Sequence, residues 1–98
     1  MTQRRDSSRI EFSKLFSKQL KKTPREIKIA FREALSLFLE DFNNPHLRNH
    51  SLTRKYAGHK SIDVTEDWRA IFVEIYDGSR GTTIRFKFIG THSQLYKR

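Results

Sequence analysis

The sequence predicts an α+β domain in which two N-terminal helices pack on one face of a small antiparallel sheet. Three observations carry this reading. Apolar residues recur at helical spacing from Phe12 to Phe42, and apolar and polar residues alternate between Ser61 and Ile89. Between the two blocks, Asn43-Asn44-Pro45 is a helix stop. A helical block followed by a strand block is the pattern of an α+β arrangement. Across 98 residues there is no internal repeat, low-complexity tract or Gly/Ser linker, so residues 1–98 read as one domain. That length suffices for a modest core without disulfides.

Taken in order, residues 1–8 are polar and read as a loose start. Arg9-Ile10-Glu11-Phe12 alternates and reads as a short strand. Phe12, Leu15, Phe16, Gln19 and Leu20 then share one side of a helix, opposite Lys14, Ser17, Lys18, Lys21 and Lys22. Thr23-Pro24-Arg25-Glu26 has the form of a capping box with Pro at the first helical position. From there Ile27, Phe31, Ala34, Leu35, Phe38 and Phe42 keep a 3.6-residue period, which predicts a helix over 27–42. Ile29 falls opposite that stripe, either as a scattered surface residue or on a partner-facing side. Ser61–Val64, Trp68–Tyr76 and Thr82–Ile89 read as strands, with Asp77-Gly78-Ser79-Arg80-Gly81 as a hairpin turn. In the last strand Ile84, Phe86 and Phe88 are expected on one face and Arg85 and Lys87 on the other.

Charge is the strongest bulk signal. Twenty Lys and Arg against eleven Asp and Glu leave +9 with His neutral. Such an excess attracts polyanions, nucleic acid above all, although solubility or an acidic protein partner would also account for it. With no cysteine, disulfides, thiolate zinc sites and thiol nucleophiles are excluded, which fits a reducing compartment. Nothing resembles a signal peptide or a membrane span, and apolar runs such as Ala70-Ile71-Phe72-Val73 are far too short. His46 and His50 are four apart, but Pro45 and the Asn pair oppose a helix there and no zincin Glu follows. Neither metal nor cofactor is therefore expected. There is no Gly-rich phosphate loop and no Gly-x-Ser-x-Gly elbow.

Two short stretches raise sharper questions. Asp67-Trp68-Arg69 opens the central strand. It reads either as turn, core and surface residues, or as a carboxylate able to orient a histidine beside a guanidinium able to hold a phosphate. Gly90-Thr91-His92-Ser93-Gln94-Leu95-Tyr96 ends the chain on a histidine and an aromatic four apart, with Leu95 between them as a core plug.

Together, His50-Ser51-Leu52-Thr53, Gly58, Asp67-Trp68-Arg69-Ala70-Ile71-Phe72 and the Gly90–Tyr96 ending resemble the YafQ branch of the RelE/ParE superfamily of bacterial type II toxins. The motifs lie in the C-terminal half; the helical half agrees in layout. The resemblance implies a RelE-like microbial ribonuclease-type fold in the bacterial cytoplasm. It also implies a ribosome-dependent endoribonuclease that cuts mRNA in the decoding site, contacts ribosomal RNA there, and is neutralised by a cognate antitoxin. The family's catalytic positions fall on His50, Asp67, His92 and Tyr96. Where relatives commonly carry a further histidine, this chain has Asp63, a departure that bears on cleavage or codon preference.

RNA cleavage by its own 2′-OH needs no metal, and histidine suits the proton transfers because its pKa lies near neutrality. In that scheme His50 is the base and His92 the acid, or the reverse. Asp67 orients a histidine. Arg69, Arg85 and Lys87, with Asp63 beside them, are the candidates for RNA and phosphate contact. Tyr96 stacks on a base or donates its hydroxyl. The alternatives are a ParE-like toxin acting on gyrase, whose relatives generally lack the histidine pair, and a catalytically impaired RNA- or ribosome-binding module.

Overall fold

The computed structural model describes residues 8–78 and 81–96. Of the loose start expected over residues 1–8, residues 1–7 fall outside them, as do Ser79 and Arg80 of the hairpin turn, while Ser8 already belongs to a strand. The chain forms β1 (Ser8–Phe12), α1 (Lys14–Lys21) and α2 (Arg25–Glu40), followed by β2 (His50–Ser51), β3 (Lys60–Asp63), β4 (Trp68–Tyr76), β5 (Thr82–Thr91) and α3 (His92–Tyr96). Single 3₁₀ turns occupy Pro45–Leu47 and Arg54–Tyr56. The five strands lie in the order β1-β5-β4-β3-β2.

The α+β class holds, with one addition to the sheet. Strands β2 to β5 pair antiparallel, but β1 joins the edge of β5 in parallel, Ile10 opposite Ile84 and Phe12 opposite Phe86. A parallel neighbour requires a long crossover, and here the crossover comprises both helices and the rest of the sheet. Helix α1 starts on Ser13, whose hydroxyl accepts from Phe16 N–H at 3.0 Å. The expected capping box of α2 does not form. Pro24 is the N-cap, and the Thr23 hydroxyl turns back to donate to Leu20 O at 2.7 Å, closing α1 instead. Helix α2 ends at Glu40, and Phe42 lies just beyond it, stacked on Phe38 with ring centroids 4.5 Å apart.

The core lies between the helices and one sheet face. Phe16, Ile27, Phe31, Ala34 and Phe38 meet Ile62, Ala70, Phe72, Ile84 and Phe86 there. Phe31, Phe16 and Phe86 pack with centroids 5.2–5.5 Å apart, within the range where offset and edge contacts stabilise. Ile29 is exposed. None of the described helices is long and apolar enough to cross a membrane.

The last strand departs from simple alternation. Ile71 pairs with Phe88 but Phe72 pairs with Phe86, so Lys87 is the extra residue of a β-bulge. Ile84 and Phe86 enter the main core as expected; Phe88 does not. Beyond the bulge the faces exchange, so Ile89 joins the main core while Phe88 packs against Tyr56, Ile71 and Leu95 on the opposite face. Gln19 supports this point: its amide oxygen accepts from Ile89 N–H at 2.9 Å. The bulge thus builds a second, small apolar cluster beneath the far face of the sheet, and the candidate site stands on it.

Candidate active site

An open groove of about 720 Å³ lies over that second cluster. Its walls come from the segment between α2 and β3, the start of β4 and the terminal helix α3. His50, His92, Tyr96 and Arg69 all line it, together with Arg48, Arg54, Lys55 and Tyr56. Strand register explains the convergence. His50 faces Ser61, which faces Ile71, and Asp63 faces Arg69, which faces Gly90. Residues two apart share a face, so these rows stack along one side of the sheet.

Each side chain is held by a local device. His50 is oriented by its own loop: Arg48 adopts a left-handed conformation (φ 47°, ψ 49°), and its carbonyl accepts from His50 Nδ1 at 2.7 Å. A neutral imidazole donating through Nδ1 carries its lone pair on Nε2. His92 is the first residue of α3, and its backbone N–H donates to Asp67 O at 2.9 Å. Thr91 and Gln94 form a reciprocal capping box around it. Thr91 N–H donates to Gln94 Oε1 at 2.9 Å, and Gln94 N–H to the Thr91 hydroxyl at 3.1 Å. Gly90 lets α3 fold back closely, since a Cβ there would lie 3.1 Å from Gln94 Oε1 and 3.3 Å from Leu95 Cγ.

Helix α3 is anchored from below. Leu95 is buried, and Tyr56 Oη donates to Leu95 O at 2.8 Å across 39 residues of sequence. Tyr96 stands edge-on to Tyr56 (5.6 Å) and beside His92 (4.7 Å between centroids). Burial pushes the Tyr96 phenol above its ordinary value, with the positive charge of Arg69 acting in the opposite direction. The hydroxyl therefore keeps its proton at neutral pH.

The remaining candidates are distributed differently. Arg69 lies at the groove with its side chain only 13% exposed; its Nη1 donates to Glu66 O at 2.8 Å and Thr65 O at 3.2 Å. Asp63 sits behind the groove rather than in its lining, between Arg48 and Arg69. Asp67 reaches His92 through its main-chain carbonyl and does not line the groove. Arg85 and Lys87 do not line it either. Arg85 is four residues along from the Arg69 row, roughly 13 Å at strand rise, and commits both Nε and Nη2 to Glu11 Oε1 (3.0 and 2.8 Å). Lys87 is the bulged residue. The basic contribution to the groove therefore comes from Arg48, Arg54, Lys55 and Arg69.

A helical pair over a mixed five-stranded sheet is a fold shared with solved bacterial toxins. The chain superposes on YafQ of E. coli strain BL21(DE3) with a TM-score of 0.72 at 22% identity, covering 89% of this chain and 96% of that one. It matches the YafQ fold in the E. coli DinJ–YafQ toxin–antitoxin complex with a TM-score of 0.71 at 21% identity, covering 92% and 98%. A YoeB/ParE toxin from Agrobacterium tumefaciens matches with a TM-score of 0.68 at 10% identity, covering 86% and 98%. No curated protein matches the sequence significantly. The sequence profile of the bacterial toxin of type II toxin–antitoxin systems, YafQ, matches residues 8–97. The chain belongs to this YafQ toxin family.

Proposed function

We propose that the protein is a ribosome-dependent mRNA endoribonuclease acting in the bacterial cytoplasm and neutralised by a cognate antitoxin; the structurally similar YafQ of E. coli occurs in a toxin–antitoxin complex with DinJ. The observation that carries this reading is the meeting of His50, His92, Tyr96 and Arg69 in one open, basic groove. His50 Nε2, left free by the bond from Nδ1, takes the proton of an RNA 2′-OH as its oxygen attacks the adjacent phosphorus. As the new O–P bond forms and the P–O5′ bond breaks, His92 gives its proton to the departing 5′ oxygen. The products are a 2′,3′-cyclic phosphate and a 5′-hydroxyl end. Arginine charge stabilises the phosphorane, commonly the largest contribution to such a step. Tyr96, protonated and rimming the groove, stacks on a base or donates to phosphate. The histidine pair favours this chemistry over a gyrase-directed toxin.

Cleavage of mRNA on programmed ribosomes is the test, comparing wild type with His50→Ala and His92→Ala at equal ribosome occupancy. Each variant is expected to lose about 10²–10⁴-fold in cleavage rate while still binding. Wild-type binding without cleavage would favour a non-catalytic ribosome-binding role. An absence of both would redirect attention to gyrase.

A further inference from the structure

Resting on the ribonuclease reading, we propose that Asp63 is a positioning residue that holds Arg48 and Arg69 as a paired-guanidinium clamp for an RNA backbone phosphate. Arg48 Nε lies 2.8 Å from Asp63 Oδ2 and Arg69 Nε 3.2 Å from Oδ1. Both arginines line the groove, on the side formed by the loop before β2 and the start of β4. The carboxylate behind them is only 14% exposed, so it faces the guanidinia more than solvent.

The mode of pairing matters more than the fact of it. Asp63 meets each guanidinium at Nε, the atom nearest the chain. The terminal nitrogens of Arg48 donate to none of the described residues, and of those of Arg69 only Nη1 is occupied, by main-chain carbonyls. Arg85 shows the opposite arrangement, with Nε and Nη2 both on Glu11. Held by Nε, Arg48 keeps its whole outer edge for fork recognition of a phosphate in a fixed direction, and Arg69 keeps Nη2 for one further bond to it.

Two further features separate the clamp from an ordinary stabilising ion pair. The Arg69 contact satisfies charge but not hydrogen-bond geometry, and Asp63 Oδ1 is buried without a hydrogen-bond donor. A buried acceptor left without a donor needs an explanation, and a role in the site supplies one. Arg48, with its side chain 66% exposed, holds a left-handed backbone disfavoured for a non-glycine residue. That one conformation aims its guanidinium at Asp63 and its carbonyl at His50 Nδ1. The phosphate clamp and the orientation of His50 are thereby coupled through a single residue.

The sign of the Asp63 effect tests the idea. By charge alone, Asp63→Asn removes a negative group near a polyanion site and should tighten binding. By positioning, it should loosen both guanidinia and weaken binding. The probe is a ribosome programmed with mRNA 2′-O-methylated across the decoding site, which cannot be cut, with thermal unfolding as a folding control. Asp63→Asn is expected to weaken binding about 10-fold, with Asp63→Glu recovering part of the loss. Arg48→Gly keeps the left-handed backbone and removes the guanidinium from an exposed position, so it tests the clamp even if Asp63→Asn is poorly folded. It should weaken binding to a similar degree, and the double variant should be no worse than Arg48→Gly by more than the Arg69 share. Unchanged or tighter binding by Asp63→Asn, or unchanged binding by Arg48→Gly, would overturn the clamp. If wild type cuts unmodified mRNA while these variants bind normally, the clamp alone fails; if wild type neither binds nor cuts, the ribonuclease reading fails with it.

Discussion

At Gly90 the absence of a side chain is a packing requirement. A Cβ would press on Gln94 Oε1 at 3.1 Å, and that oxygen is the acceptor for Thr91 N–H, so it cannot swing away without opening the cap of α3. Gly90→Ala should therefore destabilise the fold by about 1–2 kcal/mol, the range of a modest overpacking, and displace His92 with α3. Denaturant unfolding measures the first effect and single-turnover cleavage the second; a variant unchanged in both would show that the terminal turn has slack. The Thr91-His92-Ser93-Gln94 capping box carries a local signal, Thr-x-x-Gln, that could have marked the start of α3. Other residues of the site carry none. The left-handed backbone of Arg48 has no local signature such as Gly or Asn, and its partner Asp63 lies 15 residues away.

Among the elements, α3 depends on contacts made at a distance. Five residues are too few for a helix to persist alone, and this one is secured by the buried Leu95 and the Tyr56 hydroxyl. Burial, and then the neighbouring Tyr96, push the Tyr56 phenol above its ordinary value near 10. A native state that keeps this proton longer than the unfolded chain is fully stabilised below about pH 10, and loses that contribution as pH rises through the folded value. Tyr56→Phe should cost about 1 kcal/mol at neutral pH, the net worth of a typical hydrogen bond. It should also flatten the decline in stability above pH 10. Equilibrium unfolding at pH 7 to 11 checks both, and an identical alkaline profile in the variant would show that Tyr56 is not the titrating anchor.

The same contrast between near and far contacts explains what the sequence revealed about the elements. The two helices and the strands from β3 to β5 follow from local periodicity, and their existence was readable. The parallel pairing of β1 with β5 joins residues 74 apart, as at Glu11 and Arg85. No local pattern specifies it. The bulge at Lys87 hides in an unbroken alternation, because Phe88 is apolar on either face; only the second cluster around Tyr56 and Leu95 decides which face it takes. The groove residues His50, Arg69, His92 and Tyr96 were nameable from motifs, whereas the alternation on β5 that pointed to Arg85 and Lys87 could show neither the Glu11 partner of Arg85 nor the presence of Arg48, Arg54 and Lys55 along the groove.

For the molecule as a whole, a net charge of +9 predicts attraction to RNA but not where it concentrates. Four of the cations, Arg48, Arg54, Lys55 and Arg69, line the candidate groove. If each neutralises one phosphate of a single strand, the mRNA-dependent part of ribosome affinity should fall with salt at a log–log slope of about −3, from roughly −0.7 per contact. Arg54→Gln with Lys55→Gln should reduce that slope by about 1.4 on the same basis. Arg85→Gln should leave the slope unchanged, because Arg85 lies on another part of the sheet, outside the groove lining. Titrating programmed against empty ribosomes over a salt series isolates the mRNA contribution. If the slope moved with Arg85 and not with Arg54 and Lys55, the RNA path would run along β5 rather than through the groove, and an antitoxin would have to cover that edge to neutralise the toxin.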